Sequence, residues 1–317
     1  MGFGTTQMVD NKTLALVFPG QGSQSIGMMA GFADLPVVEQ TLAEASDILK
    51  VDIAKMMKEG PEEALAQTVN TQPVMLTAGV ATFRAWKVLG GPDAAVYAGH
   101  SLGEYSALVA AGVLTFADAL PLVRFRAEAM QASVPEGTGG IAAVLGLDEA
   151  AVQPVCAEAA QGEVLEAVNL NSPGQTVIAG HRTAVERGMA LAKEKGAKRA
   201  LLLPMSVPSH CALMKPAAER LREYLQGVTF SAATVPVIQN ADVKAFGGAD
   251  EIKNALVEQL YRPVRWIETV QAIAARGATT VAECAPGKVL TGLNKRIDGN
   301  LSCVALTDGN AIKTLLA

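Results

Sequence analysis

A chain of 317 residues is about twice the ~150 of an average domain, so one large domain, or a large one carrying a smaller one, is expected. Half of the residues are hydrophobic, 18% are charged and 4% aromatic, which fits a packed, Ala-rich globular protein and excludes a disordered or collagen-like chain. With 26 Lys and Arg against 31 Asp and Glu the formal charge is −5, which argues against nucleic acid as a partner.

The longest apolar run, 107–117, falls well short of the ~18 residues of a membrane span, so no membrane partner is expected. Cys156, Cys211, Cys284 and Cys303 include no CxxC pair, and the three histidines include no HxxxH. These spacings predict neither a disulfide framework nor a metal site and suit a reducing, cytoplasmic setting. The head of the chain has no signal-peptide apolar region. Met1-Gly2-Phe3-Gly4-Thr5-Thr6 formally fits a myristoylation pattern, but no polybasic patch or second lipid signal accompanies it.

In chain order, Thr13 to Phe18 is a short β-branched and apolar run ending at Pro19-Gly20, which reads as a buried strand feeding a loop. Gln72 to Leu89 has helical character. Val96-Tyr97-Ala98 runs directly into Gly99-His100-Ser101-Leu102-Gly103 and a helix-forming stretch through Ala110, predicting strand, sharp turn and helix. A further helix is expected from about Thr115 to Gln131.

Between about Gly139 and Leu203 the pattern becomes strand (141–145), helix (149–160), two strands (164–169 and 175–179), helix (184–195) and strand (199–203). That order is βαββαβ, a ferredoxin-like unit. Pro135 to Gly140 before it, and Pro204 with Pro208 after it, are the punctuation of domain crossings. An inserted subdomain over 134–204 is therefore expected inside a discontinuous domain of 12–133 and 205–317. After His210 the α/β alternation resumes, with strands near 235–238, 279–282 and 303–306.

Gly99-His100-Ser101-Leu102-Gly103 fits G-x-S-x-G, in which small residues permit the cramped turn that lifts a serine hydroxyl above a sheet beside a helix N-terminus. The bland alternative is a helix cap, with Glu104 completing a capping box. A serine nucleophile needs a base, and the choice lies among His100, His181 and His210. His100 sits inside the turn itself, and His181 ends a strand of the insert. His210 lies in the loop Ser206-Val207-Pro208-Ser209-His210 where the main fold resumes, and the order serine then distant histidine is that of the α/β-hydrolases. His210 is preferred, and Cys211 beside it is read as a packed thiol.

On the 115–131 helix, Leu120, Leu122, Val123, Ala127 and Met130 share one arc, and Arg126 falls inside it. Arg124 and Glu128 face the other way. An inward guanidinium must find an anion, either an internal carboxylate or the carboxylate of a bound ligand held bidentately. Phe18-Pro19-Gly20-Gln21-Gly22-Ser23-Gln24 is placed to turn backbone N–H groups toward developing negative charge. A phosphate loop fits poorly, since Met28-Met29 stands where Lys and Ser or Thr are needed.

These three segments, Phe18 to Gln24, Gly99 to Tyr105 and Pro208-Ser209-His210, resemble the malonyl-CoA:acyl-carrier-protein transacylases of bacterial type II fatty-acid synthesis. Asn171-Ser172-Pro173-Gly174-Gln175, Ile178-Ala179-Gly180, Gln259-Leu260-Tyr261 and Gly287-Lys288-Val289-Leu290 are similar as well. The resemblance implies an α/β fold with an α/β-hydrolase-like large domain and a ferredoxin-like insert. It implies Ser101 as acyl-accepting nucleophile, His210 as base and Arg126 as the clamp on the malonyl carboxylate. It further implies an oxyanion hole from the N–H groups of Gln21 and Leu102, and a main-chain carbonyl at Gln259 orienting the histidine in place of a triad acid.

Malonyl-CoA is then the donor, an acidic acyl-carrier protein the transient partner, and no bound cofactor or metal is expected. Segment 182–199, with six cations against Glu186 and Glu194, is a candidate basic docking face. The competing expectations are a serine thioesterase or esterase acting on acyl thioesters, and a non-catalytic scaffold that binds the carrier.

Overall fold

The computed structural model describes residues 10–204 and 207–317. The lipidation pattern at Met1 to Thr6, and Ser206 of the loop before His210, lie outside the described residues.

The chain opens with β1 (Leu14–Phe18), followed by the helices α1 (Pro36–Leu49), α2 (Ile53–Glu59), α3 (Glu62–Ala66) and α4 (Thr68–Val88). Then come β2 (Val96–Gly99), α5 (Gly103–Ala110) and α6 (Phe116–Ala132). The middle of the chain forms β3 (Gly139–Leu145), α7 (Glu149–Ala160), β4 (Leu165–Ser172), β5 (Gln175–His181), α8 (Arg182–Glu194) and β6 (Arg199–Leu202). The remainder is α9 (Lys215–Leu225), β7 (Val237–Ile238), α10 (Ala249–Gln259), α11 (Trp266–Ala275), β8 (Thr280–Glu283), α12 (Val289–Ile297), β9 (Ser302–Ala305) and α13 (Gly309–Leu316).

Five strands form one parallel sheet in the order β7-β2-β1-β8-β9. Every residue of β1 and β2 is buried, because helices cover both faces of a parallel sheet and its central strands carry apolar residues continuously. From β1 the chain steps outward through β2 to β7, then returns to β8 on the opposite side of β1. The topological switch point therefore lies between β1 and β8, whose following connections run to opposite sides, and the loops after β1 and β2 lie at the same carboxyl edge beside it.

The second sheet is antiparallel, in the order β4-β5-β3-β6, and its elements follow the expected βαββαβ sequence. Alternation with period two sorts its side chains. Ala142, Val144 and Ile178 pack against α7 and α8 with Val152, Val155 and Val185. Ile141, Val177 and Ala179 face the other way, together with Val168 and Cys211. Main-chain bonds tie the small sheet to the segment between α10 and α11 of the large unit: Leu170 N–H donates to the Val264 carbonyl at 3.0 Å, and Val264 N–H to that of Val168 at 2.9 Å. The small sheet thus presents one apolar face to the carboxyl edge of the large one.

No helix among the described residues is long and apolar enough to cross a membrane.

Candidate active site

Ser101 occupies the turn between β2 and α5 with φ of +52°. A left-handed conformation is costly for a residue with a side chain, and the surrounding glycines make room for it: an added Cβ at Gly99 would overlap the backbone of Gly103. Ser101 does not cap α5, since the N-cap is Leu102 and makes no side-chain bond. The S-x-x-E spacing is therefore not a capping box; the elbow turns Oγ away from the helix and toward His210.

His210 is buried and also left-handed, with φ of +65°, its N–H held by the Leu260 carbonyl at 2.9 Å. Its Nδ1 lies 2.6 Å from the main-chain carbonyl of Gln259, and its Nε2 lies 2.8 Å from Ser101 Oγ. A carbonyl only accepts, so Nδ1 carries the proton and Nε2 offers its lone pair to the serine O–H. Burial, and secondarily the charge of Arg126, lower the imidazole to about 3, which keeps it neutral and able to take a proton.

The other histidines are engaged elsewhere: His100 Nε2 is 2.8 Å from Asn171 Oδ1, and His181 Nδ1 accepts the Val164 N–H at 2.9 Å. Cys211 is a packed thiol whose Sγ contacts the Pro208 carbonyl at 3.1 Å, and burial pushes it up to about 12.

The loop after β1 crosses close to the elbow. A Cβ added at Gly20 would stand 2.5 Å from the His100 carbonyl oxygen and 3.4 Å from Leu102 N, so only glycine allows this approach. Among the described residues, no hydrogen-bond acceptor takes the N–H of Gln21 or of Leu102. Two neighbouring N–H groups without partners are the raw material of an oxyanion hole.

Arg126 is 1% exposed. Its Nη1 donates to Gln72 Oε1 at 2.8 Å and its Nη2 to Gln259 Oε1 at 2.9 Å, with Ser101 Oγ 3.4 Å from Nη2. The guanidinium lies over the Tyr105 ring at 5.4 Å. Nε has no partner among the described residues, and no carboxylate lies within ion-pair distance. Of the two anions expected for Arg126, the internal one is therefore not in contact with it.

Glu104, three residues past Ser101, is fully buried, and burial pushes it up to about 8 against the pull of its N–H donors and of Arg126. Gln72, Asn240, Glu104 and the side chain of Gln259 were not expected at the site. Asn240, just past β7, obeys the rule that functional side chains gather at the carboxyl ends of parallel strands; Gln72 carries no signal beyond being polar in a mostly buried helix, Glu104 reads as half of a capping box, and Gln259 ends a helix rich in other polar residues.

Gln21, Gln72, Ser101, Leu102, Arg126 and His210 line a small chamber of about 50 Å³ together with Ile141 and Asn169 of the small sheet. Gln21, His100, Ile141 and Asn169 also line an adjoining groove of about 460 Å³ that runs past Gln175, Leu203 and Val289. Of the six cations in 182–199, Arg182, Arg187 and Lys195 pair with Glu186, Glu163 and Glu158. Lys193, Lys198 and Arg199 have no carboxylate partner among the described residues.

The acyl transferase domain family matches over residues 15–298. The malonyl CoA-acyl carrier protein transacylase of Salmonella typhimurium is 56% identical over 303 residues, spanning 95% of this chain and 98% of the relative. The chain belongs to the malonyl CoA-acyl carrier protein transacylase family. Solved transacylase structures agree. The acyl-carrier-protein S-malonyltransferase of Burkholderia pseudomallei superposes with a TM-score of 0.94 at 56% identity, covering 96% of this chain and 99% of the other. A malonyl-transacylase solved in complex with its type II polyketide acyl-carrier protein has a TM-score of 0.94 at 52% identity, covering 96% and 98%.

Proposed function

We propose that this chain transfers the malonyl group of malonyl-CoA to the phosphopantetheine thiol of an acidic acyl-carrier protein through a malonyl-Ser101 intermediate, supplying fatty-acid elongation. The observation that carries the proposal is the chain Gln259 carbonyl, His210, Ser101 set directly beside a buried guanidinium with no carboxylate partner.

In the first half-reaction His210 Nε2 takes the Ser101 proton and Oγ attacks the thioester carbonyl. The N–H groups of Gln21 and Leu102 receive the oxyanion. Collapse expels the coenzyme A thiolate, which takes the proton from Nε2. The carrier thiol then occupies the same place, gives its proton to His210 and attacks the ester, and Ser101 leaves with that proton. This is ping-pong chemistry through one covalent intermediate. Throughout, Arg126 holds the distal carboxylate, which selects malonyl over acetyl.

The α/β-hydrolase-like description of the large domain belongs to the same proposal, supported by the serine on its sharp turn after a central parallel strand. So does the division into 12–133 with 205–317 and an inserted ferredoxin-like 134–204, supported by the confinement of each sheet to one segment set.

The test is intact-protein mass after brief exposure to malonyl-CoA, followed by a chase with holo acyl-carrier protein. A malonyl adduct on the wild type, absent from Ser101→Ala and discharged onto the carrier, is the expected result. An adduct that decays as fast in water alone would instead identify a thioesterase.

A further inference from the structure

Glu104 neither caps its helix nor pairs with a cation, yet both of its hydrogen bonds converge on one oxygen. Oε2 accepts the Asn240 N–H at 2.8 Å and the Gln259 Nε2–H at 3.1 Å, while Oε1 has no partner among the described residues. Both donors come from residues that grip the site. Asn240 Oδ1 accepts the Ser101 N–H at 2.7 Å and its Nδ2 donates to the Gly99 carbonyl at 2.5 Å, holding the elbow on either side of His100. Gln259 Nε2 also donates to the Ser101 carbonyl at 3.0 Å, which leaves Oε1 to face Arg126.

A side-chain amide has two faces, and its neighbours decide which one is presented. A flipped Gln259 would aim its oxygen at two acceptors, Glu104 Oε2 and the Ser101 carbonyl, and its NH2 at a guanidinium that only donates. Glu104 is thus one of three groups, with the Ser101 carbonyl and Arg126, that fix this amide. A proton taken up by the carboxyl has the unpartnered Oε1 to occupy, so Oε2 remains an acceptor in either ionisation state.

We propose that Glu104 is a positioning residue for acyl-group selection: through Oε2 it fixes the Gln259 amide, and with it the Arg126 guanidinium, relative to the Ser101 elbow. The proposal rests on Arg126 being the clamp for the acyl carboxylate.

The experiment compares kcat/KM for malonyl-CoA and acetyl-CoA in Glu104→Gln, Glu104→Met and Arg126→Ala. Glutamine keeps an acceptor oxygen and removes the charge, whereas methionine keeps the bulk and removes the acceptor. Glu104→Gln is expected to hold the malonyl-over-acetyl preference within about 3-fold of wild type, and Glu104→Met to lower it about 10-fold, chiefly through the KM for malonyl-CoA.

A methionine variant that loses both substrates equally, or a glutamine variant as impaired as it, would overturn the proposal. If Glu104→Met does not fold, Gln259→Met takes its place, since it removes the amide and keeps the main-chain carbonyl; an unchanged preference there would overturn the proposal too. Arg126→Ala keeping its malonyl preference would remove the clamp itself. Arg126→Ala losing that preference while Glu104→Met keeps it would remove only the role of Glu104.

Discussion

Helix α4 carries one arginine and meets a second of opposite character. Near its C-terminal end Arg84, a third exposed, donates to Glu44 at 2.6 Å and Thr41 at 3.0 Å and lies 5.0 Å over the Phe116 ring. Near its N-terminal end Gln72 meets Arg126, which also lies over an aromatic ring but is buried and faces only amide and hydroxyl oxygens. The partly exposed guanidinium has a carboxylate from its own chain, and the buried one has none among the described residues. A buried cation without an anion is costly to the fold, and a ligand that brings a carboxylate gains from relieving that cost. The difference separates an arginine paired within the structure from the one proposed to hold the substrate carboxylate.

The largest effect that would sharpen this comparison is expected from Arg126→Ala. Loss of one partner of a buried charge pair costs about 2–5 kcal/mol, so the malonyl-over-acetyl preference in kcat/KM should fall about 30-fold or more. Gln259→Glu should come next. It sets a permanent carboxylate 2.9 Å from Arg126 while leaving the main-chain carbonyl on His210, so malonyl loading should drop about 10-fold and acetyl loading much less; equal losses would argue against occupation of the clamp.

A smaller effect is a shift in pH dependence. His210 is lowered to about 3 by burial first and Arg126 second, and the proposed base acts in its neutral form. Loading of Ser101 should hold its rate as pH falls through the ordinary histidine value, and Arg126→Ala should move the acid limb upward. A wild-type limb near 6.5 would contradict this. Arg84→Ala should change least, with about 0.2–1 kcal/mol of stability lost in denaturant melts and no change in acyl preference.

The sequence made Ser101, His210 and the inward side of Arg126 legible because each follows from a local rule: small residues at a sharp turn, a loop before a helix, an arc on a helical wheel. The amide contacts of Arg126 obey no local rule. Helix α4 is buried on nearly every side, so its periodicity does not distinguish Gln72 from its apolar neighbours. Ser101 and Glu104 have capping-box spacing, and only the left-handed turn and the presence of Asn240 divert them to other partners.

The strand expected at 235–238 shortens to Val237–Ile238. It pairs only Tyr97 and Ala98 of β2, and Pro236 has no N–H to offer the ladder, contributing just its carbonyl to Tyr97 N–H at 2.9 Å. The helices between 36 and 66 leave no motif to read, and their place is visible only in the packing of α1 and α3 against α4 and of α2 against α1.

The most direct test of the unpartnered guanidinium is a crystal structure of the enzyme acylated by malonyl-CoA in the absence of carrier protein. The distal carboxylate should stand within about 3 Å of Arg126 nitrogens, the distance of a charge-assisted hydrogen bond, with the ester on Ser101. A malonyl carboxylate lying in the outer groove, with Arg126 still bonded only to Gln72 and Gln259, would contradict it.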